Sequence, residues 1–510
     1  MARFGGIGAA YTLQSPISDN ENLINAYCEQ PESVGATSGM TMMHRPGLAV
    51  KYTLPGENAI PAEFTVNGRT FVAGAFFWEL LQNGTATKWG TLNGPPLTPT
   101  QICCCQTHLL ILSNGDLYIF VLTPVTDSNG VLHPANSLIV VNMSQFNGPV
   151  MQIDFCDGYF FASIQNSNTF QVSDLEDATT WNGLFISTIS YFPDNIVSLK
   201  VDHREVWLLS GKKSIAYYNA GAGFPPFIPI QGAFLEDGCA AAFGTVQAND
   251  TVCWIEANDR GQGIAKMMGS YVGIRISTLA VELAWQSYTT IADAIGFAYQ
   301  DQGHNFLVYR FPTAGVTWVY DFFTSLWSKW LFWNSNTGYS PYRATSHTFN
   351  FGMHLVGDWK SGNIYQQSAN IYTDFGNPIR GERITPTVMN ENKWIYFNHI
   401  EFLLETGLGP IPPLLDGDGQ PRGPQLMLCW SDNGGKTWSN TFYLDCGQAG
   451  EYNKRVHKHQ LGRARKRVFK FNWTDPIPWR FIDIYLEAMS GGKPIYPPGE
   501  RLSEQYRKIQ

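Results

Sequence analysis

Short apolar and aromatic runs alternate with turns containing Gly or Asn from about residue 60 to residue 375. Examples are FTVNGRTFVAGAFFWELLQNG (64–84), HLLILSNGDLYIFVL (108–122) and MHLVGDWKSGNIYQQS (353–368). Each example joins two β-rich runs through a Gly-containing turn, which is typical of a β-hairpin. About six such units recur at spacings of roughly 40 to 60 residues, as the four-stranded blades of a propeller do. The pattern therefore predicts an all-β, propeller-like platform domain of about six blades, with inserted loops, over residues 61–380.

The pattern of apolar runs and turns changes past residue 380. Residues 407–425 are too rich in Pro and Gly for the interior of an element, so we interpret them as a long loop. Strand-like runs flank this loop, among them KWIYFNHIEFLLE (393–405) and WRFIDIYLEA (479–488). These runs predict a C-terminal β-sandwich-like domain over residues 381–488.

Three other segments complete the predicted organisation. Residues 1–60 form an N-terminal segment with the first strands, and residues 489–510 form a polar tail. The segment 278–296 has one stretch of helical periodicity, in which Leu279, Leu283 and Trp285 could line one face.

The composition agrees with turn-rich β-structure, since charged residues make up only 15% of the chain and 49 Gly and 29 Pro are present. The net charge of -8 argues against a protein that coats DNA, because affinity for duplex comes mainly from Lys and Arg that neutralise phosphates. Any contact with DNA is therefore expected to be local or weak.

The nine cysteines form no spaced framework, and Cys103, Cys104 and Cys105 stand in a row. On a strand Cys104 faces away from the other two, so we expect buried, reduced thiols rather than a metal site. The N-terminal sequence lacks the apolar core of a secretory signal, and no stretch reaches the roughly 20 apolar residues of a membrane helix. We therefore expect synthesis in a reducing cytoplasm and no membrane-spanning segment.

The segment SDNGGKTWS (431–439) resembles the Asp-box of sialidase-type propellers. Its members in register are Ser431, Gly435, Thr437 and Trp438, while Asn433 stands where the motif has Asp. A sialidase needs several such boxes, an arginine cluster for the substrate carboxylate, a Tyr nucleophile and an acidic partner. We expect a tight structural hairpin; a carbohydrate-active, sialidase-like enzyme and a sugar-binding module are the alternatives.

No other motif indicates catalysis. GQGIAK (261–266) lies in a predicted hairpin and is not followed by a helix, so we interpret it as a β-turn rather than a phosphate-binding loop. His457 and His459 place two imidazoles on one face of a strand without the further ligands that a metal site needs. The sequence thus predicts a protein that is not an enzyme, with no catalytic residues, no cofactor and no metal.

Residues 452–470 form a basic stripe in an otherwise acidic chain. Its alternation after Gly462 indicates a strand, which would present the charges rigidly. The stripe could face DNA phosphates, pair with an acidic neighbouring subunit, or lie in solvent. The candidate interface or DNA-facing residues are Lys454, Arg455, Lys458, Arg463, Arg465, Lys466, Arg467 and Lys470.

The segments SPISDNENLINAYCEQ (15–30) and HRPGLAV (44–50) carry a specific resemblance. Later segments in the same order include VSDLEDATTW (172–181), GCAAAFG (238–244) and FIDIYLEA (481–488). From about residue 11 to residue 488 the chain resembles the phage packaged-DNA stabilisation proteins, which are the tail nozzle or hub of short-tailed phages.

The resemblance implies a structural virion protein, made in the bacterial host cytoplasm. It implies a homo-hexameric ring below the portal and the adaptor (head-to-tail connector), which continues the double-stranded DNA channel and retains packaged DNA until ejection. Tailspikes or tail fibres would dock outside, and a tail needle or plug can lie below. An acidic or mixed channel lining would let duplex slide. Replacing Arg463, Arg465 and Arg467 with Glu is expected to impair tail assembly or genome retention.

Overall fold

The computed structural model describes residues 2–33, 36, 38–94, 100–127, 130–221, 226–490 and 493–494. Almost all regular structure in these ranges is β-strand. The first strands lie before the propeller and pair with partners far along the chain. They are β1 (Ala2–Phe4), β2 (Tyr11–Thr12), β3 (Asn20–Ile24), β4 (Ala26–Glu29), β5 (Thr41–His44) and β6 (Gly47–Thr53).

Four antiparallel sheets of four strands each follow in chain order. The first sheet contains β7 (Ala62–Val66), β8 (Arg69–Ala73), β9 (Phe76–Leu80) and β10 (Ala86–Thr91). The second contains β11 (Thr100–Cys104), β12 (His108–Ser113), β13 (Asp116–Val121) and, after the hairpin β14 (Val125–Thr126) and β15 (Leu132–His133), β16 (Leu138–Val140). The third contains β17 (Val150–Cys156), β18 (Tyr159–Ile164), β19 (Thr169–Val172) and β20 (Ile186–Thr188), and the fourth β21 (Ile196–Asp202), β22 (Glu205–Ser210), β23 (Ser214–Asn219) and β24 (Phe227–Leu235).

Three further sheets complete the propeller. The fifth contains β25 (Gly238–Cys239), β26 (Val246–Ala248), β27 (Thr251–Asn258), β28 (Gly261–Gly269) and β29 (Val272–Arg275), and helix α1 (Leu279–Gln286) follows it. The sixth contains β30 (Ile295–Asp301), β31 (His304–Phe311), β32 (Val316–Asp321) and β33 (Leu326–Lys329); a hairpin of β34 (Leu331–Asn334) and β35 (Gly338–Pro341) follows. The seventh contains β36 (Ala344–Asn350), β37 (Met353–Asp358), β38 (Asn363–Ser368) and the N-terminal strand β6, with β39 (Thr373–Asp374) and β40 (Asn377–Pro378) beyond it.

The seven sheets close into a propeller, which confirms the predicted architecture and resolves the count of about six blades into seven. The inner strands β7, β11, β17, β21, β26, β30 and β36 each contact the next, and β36 contacts β7. Strand β6 forms the outer edge of the seventh blade, with Gly47 opposite Ser368 and Thr53 opposite Asn363. The N-terminal segment thus covers an edge that the last blade would otherwise leave unpaired.

Apolar side chains fill the spaces between adjacent blades, because each sheet is covered on both faces. Between the first and second blades, for example, the rings of Phe71 and Phe120 lie 5.2 Å apart. This double-sided burial explains why strands such as β12 read as continuous apolar runs rather than as alternating ones.

The C-terminal part is a sandwich of two sheets, as predicted. One sheet has the order β4, β5, β51, β43, β48, and the other continues from β3 through β41, β50, β46 and β47. The strands are β41 (Gly381–Ile384), β42 (Val388–Met389), β43 (Ile395–Leu404), β44 (Leu414–Leu415), β45 (Pro421–Arg422), β46 (Gln425–Ser431), β47 (Phe442–Asp445), β48 (Val456–His459), β49 (Arg463–Ala464), β50 (Lys466–Trp473), β51 (Arg480–Ser490) and β52 (Lys493–Pro494).

The N-terminal strands join the two parts. Strand β3 pairs with β33 of the sixth blade through Ile24 and Lys329, and with β41 of the sandwich. At this junction Arg45 is fully buried and donates to the Asn25 side chain at 2.9 Å, while its guanidinium lies over the Tyr342 ring. The Asn25 amide oxygen also accepts from the backbone N–H of Leu331 at 2.7 Å.

Three smaller expectations have different outcomes. The predicted helix is present but short, and its predicted face is only partly right: Trp285 is buried and Leu283 is half-buried, but Leu279 is 51% exposed, and Val281 is buried in its place. The Pro- and Gly-rich loop 407–425 is mostly irregular, with one small hairpin of β44 and β45. Most of the tail 489–510 lies outside the described residues. In the described part of the chain no helix is long and apolar enough to cross a membrane.

Candidate functional site

The basic stripe does not form one uniform surface. Its residues lie on β48, β49 and β50 and on the turns between them. At its start, Lys454 pairs with Asp445 at 2.7 Å and Arg455 pairs with Glu401 at 2.7 Å. Hydrogen bonds from the Arg455 guanidinium lower the pKa of Glu401. These two charges are therefore compensated within the sandwich.

The prediction that Arg467 faces DNA or another subunit is wrong. Its side chain is only 2% exposed, its guanidinium donates to Asp432 at 2.6 Å and to the Leu461 carbonyl, and it lies over the Phe397 ring. Arg467 alternates along β50 with Phe469 and Phe471, which are buried in the core, so its side chain lies on the inner face of the strand. Arg467 holds the sandwich together and is not available to DNA or to another subunit.

The other five residues of the stripe have no ion pair among the residues that the structure describes: Lys458, Arg463, Arg465, Lys466 and Lys470. Lys458 and Lys470 lie over the rings of Phe442 and Trp438, at 4.6 and 4.0 Å from the ring centroids. Such contacts shield the cation without cancelling its charge.

Arg463 and Arg465 belong to an exposed aromatic patch. Their guanidiniums lie 4.9 and 5.2 Å from the centroid of the Trp394 ring. Trp394 is 46% exposed, and Tyr396, opposite Arg463 across the strand pair, is 48% exposed. We call Trp394, Tyr396, Arg463 and Arg465 the Trp394 patch. Sequence reasoning found its arginines but missed its apolar residues, which come from a segment about 70 residues earlier in the chain.

The Asp-box-like turn is held by bonds within itself. The Ser431 hydroxyl accepts from the Gly435 N–H at 2.9 Å and donates to the Asn433 amide oxygen at 2.8 Å. That oxygen also accepts from the Thr437 N–H at 2.9 Å, and the Asn433 amide donates to the Thr437 hydroxyl at 2.8 Å. Trp438 is half-buried. These polar groups are engaged in shaping the turn.

The fold brings a third histidine to the pair that the sequence singled out. His399 on β43 lies directly opposite His459 on β48, and Glu401 lies opposite His457. One ring nitrogen from each of His399, His457 and His459 lies within 4.8 Å of the others. The expectation that the two imidazoles have no further ligand nearby is therefore wrong, because strand pairing joins positions that the sequence separates.

A cavity of about 290 Å³ lies on the axis of the propeller, lined by residues from the inner strands. Burial raises the pKa of Glu63 to about 8, although Ser346 and a backbone N–H favour its charged form. The only sequence signal for this group is a single charge within an apolar strand, in PAEFTV (61–66).

The cavity contains charges of both signs. Lys200 donates to Asp154 at 3.0 Å, and attraction to this carboxylate raises the pKa of Lys200. Burial lowers the pKa of Arg310 to about 10, and its guanidinium lies 4.5 Å from the centroid of the Trp359 ring. A small cavity lined by such polar groups is suited to filling by solvent or a small polar molecule.

All nine cysteines are free thiols, and all except the half-buried Cys104 are buried. Burial raises the pKa of Cys156 and Cys253 to about 12. Because the thiolate is the reactive form of cysteine, these two side chains are poor nucleophiles.

Two family models match consecutive parts of the chain. The model described as Bacteriophage P22 Gp10, beta-propeller, matches residues 20–372, and the model described as Bacteriophage P22 Gp10, beta-sandwich, matches residues 380–488. No curated protein matches the sequence.

Two solved structures resemble parts of the chain weakly. PorZ, a surface component of the type-IX secretion system of Porphyromonas gingivalis, has a TM-score of 0.34 at 9% identity, over 68% of this chain and 44% of PorZ. The chain thus spans less than half of PorZ. The WD40 domain of coronin from Toxoplasma gondii has a TM-score of 0.34 at 10% identity, over 71% of this chain and 88% of that domain.

Proposed function

The chain belongs to the bacteriophage P22 Gp10 family and is a structural protein of the phage virion, and from this premise we propose that it is the tail nozzle or hub of a short-tailed phage. Six copies form a ring below the portal and adaptor. The ring continues the DNA channel, retains the packaged genome and lets it pass at ejection. Its outer surface offers docking sites to tailspikes or fibres, and the protein is made in the host cytoplasm and acts without catalysis.

The observation that carries this proposal is the collinear match of both family models, which together cover residues 20–372 and 380–488. The two matched regions follow one another along the chain, and only residues 373–379 separate them. A sialidase-like enzyme is the weaker alternative, because it depended on the Asp-box-like turn, whose polar groups bond to one another.

The size of the axial cavity supports a channel between subunits. A volume of about 290 Å³ corresponds to a sphere about 8 Å across. Duplex DNA, whose major groove alone is about 12 Å wide, cannot pass through a space of that size. This size favours a DNA channel between several copies of the chain, as a ring provides.

The Trp394 patch supports contact with a neighbouring subunit rather than with DNA. Trp, Tyr and Arg are the residues enriched at the energetic centres of protein interfaces. The chain carries a net charge of -8, so acidic surface on a second copy is a suitable partner for Arg463 and Arg465. The negative balance also keeps the channel from holding DNA tightly.

Cryo-electron microscopy tests the proposal directly. The purified chain is mixed with a portal and adaptor complex from the same phage, and the images are examined for density below the adaptor. We expect a six-fold ring that extends the channel. A chain that stays monomeric and never joins the adaptor, under conditions in which the adaptor itself binds the portal, would overturn the proposal.

A further inference from the structure

Three imidazoles meet on the outer face of the sandwich. The rings of His399 and His459 are stacked with centroids 4.2 Å apart, and the ring of His457 lies 5.3 Å from His399 and 4.8 Å from His459. His399 comes from β43, and the other two come from alternate positions of β48, so regular strand pairing places all three on one face. The arrangement rests on two rigid strands rather than on a loop.

We propose that this histidine triad of His399, His457 and His459 binds a divalent transition-metal ion. One nitrogen from each ring lies within 4.8 Å of the others. Bonds of about 2.0–2.1 Å from a tetrahedral zinc ion to two imidazole nitrogens place those nitrogens roughly 3.4 Å apart. The remaining approach is within the reach of small rotations of the three side chains, and the backbone need not move.

Unpartnered nitrogens provide a second, independent observation. His399 is only 5% exposed, and its Nε2 is buried without a hydrogen-bond partner among the described residues. Nδ1 of His457 is in the same condition. Buried polar atoms in proteins are usually satisfied, so these two nitrogens are available to a ligand that enters the cluster. A metal ion accepts the lone pairs of these two nitrogens at once.

The donor set limits the class of metal. Three neutral imidazoles suit zinc, copper, nickel and cobalt, whereas calcium and magnesium prefer oxygen ligands. His459 lies at the solvent side and leaves a fourth position open to water or to a carboxylate. Glu401 lies opposite His457, but its carboxylate is held by Arg455 through bonds of 2.8 and 2.7 Å, so we assign it to the surroundings of the site.

Two carboxylates lie beside the triad, although the stripe around it is basic. Arg455 is neutralised by Glu401, and Glu487 lies opposite His399 on the other side of β43. These groups reduce the repulsion that a divalent ion meets at the site.

Metal titration of the full-length chain tests the proposal. The chain is prepared without a polyhistidine tag, treated with a chelator, and titrated with zinc chloride by calorimetry and with cobalt chloride by visible absorption. We expect one ion per chain and the absorption of a four-coordinate cobalt site. Loss of a direct ligand should weaken binding by more than the about 10- to 100-fold typical of changes around a site, so His459→Gln, at the solvent side, is the test variant.

His354→Gln is the matched control, since His354 also contacts another histidine, His347, with ring centroids 5.3 Å apart. It should bind zinc as the unchanged chain does. The proposal is overturned if the unchanged chain takes up no zinc at micromolar concentrations, or if His459→Gln and a second variant, His457→Gln, both bind as tightly as the control. A merely stacked imidazole cluster would give that result.

Discussion

The guanidinium of Arg45 and the carboxylate of Asp374 form an ion pair in which both side chains are fully buried, although the two residues are 329 positions apart in the chain. Arg45 immediately precedes the segment that completes the seventh blade, and Asp374 lies in β39, just beyond that blade. Arg45 also belongs to HRPGLAV, one of the two segments that carry the family resemblance. The motif thus has a structural role, which is to fasten the N-terminal segment to the end of the propeller.

Replacing Arg45 with Met should destabilise the protein strongly. The change leaves the Asp374 carboxylate buried without its counter-charge, which costs about 3–5 kcal/mol. Urea denaturation followed by tryptophan fluorescence measures the free energy of unfolding. Arg260→Met, at a residue whose side chain is 85% exposed, serves as the control and should stay within about 0.5 kcal/mol. An equal, small effect of both variants would contradict the structural role of the pair.

Glu63 should give the protein a distinctive dependence on pH. Its pKa of about 8 in the folded state lies above the ordinary value of 4.5, so the folded state retains a proton that the unfolded chain releases. The contribution of Glu63 to the free energy of unfolding is complete below about pH 4.5 and is lost as the pH rises to about 8.

Glu63→Gln remains uncharged and should flatten this part of the pH profile. Denaturation of both proteins at several pH values between about 5 and about 8 measures the difference. Parallel profiles for the variant and the unchanged chain would show that Glu63 does not bind the proton.

Reversing two charges of the Trp394 patch should weaken ring formation. In the double variant Arg463→Glu, Arg465→Glu, carboxylates face the acidic surface expected of a neighbouring subunit, and such like-charge contacts cost several kcal/mol. Arg467, which the sequence grouped with these two, is left unchanged because it is buried.

Analytical ultracentrifugation and the yield of DNA-filled particles measure the outcome, and we expect at least about a tenfold loss of assembled tails. The charge-matched control is Arg204→Glu, Arg260→Glu, whose side chains are 81% and 85% exposed on propeller loops. A normal yield of stable particles from the test variant would rule out the patch as an interface.

The Asp-box-like turn should tolerate aspartate in place of Asn433, as the motif has it. In Asn433→Asp, one carboxylate oxygen can still accept from Thr437 N–H and the other from the Thr437 hydroxyl, so stability should be nearly unchanged. Asn433→Ala removes these bonds and should cost about 1 kcal/mol. Thermal unfolding measures both, and neither variant should alter hydrolysis of a fluorogenic sialoside. Sialoside hydrolysis that Asn433→Ala abolishes would instead support the enzyme alternative.

Much of the architecture can be predicted from local patterns. Hairpins leave a signature within about 20 residues, so the strand content, the propeller and the sandwich could be predicted. The make-up of the seventh blade could not be predicted, because its outer strand β6 lies about 310 residues before its partner β38. No local pattern reports such a pairing.

The functional residues were harder to predict for the same reason. Arg463, Arg465 and Arg467 alternate in sequence, yet the first lies on β49 beside β43 and the last on β50 beside β42 and β46. Arg467 lies on the inner face of β50, on the same side as the buried Phe469 and Phe471, and is therefore enclosed. His399 likewise stands 58 residues before His457, and cross-strand register alone brings them together.

The position of β6 also determines the order in which the protein can be made. The strand is among the first to leave the ribosome, but its partner β38 emerges only after residues 363–368 are synthesised. Strand β5 waits longer still, for β51 at residues 480–490. The edges of β5 and β6 that pair with β51 and β38 therefore stay unpaired through most of translation. Nascent chains with unpaired strand edges are prone to aggregate. The propeller and the sandwich can therefore be completed only when nearly the whole polypeptide has been synthesised.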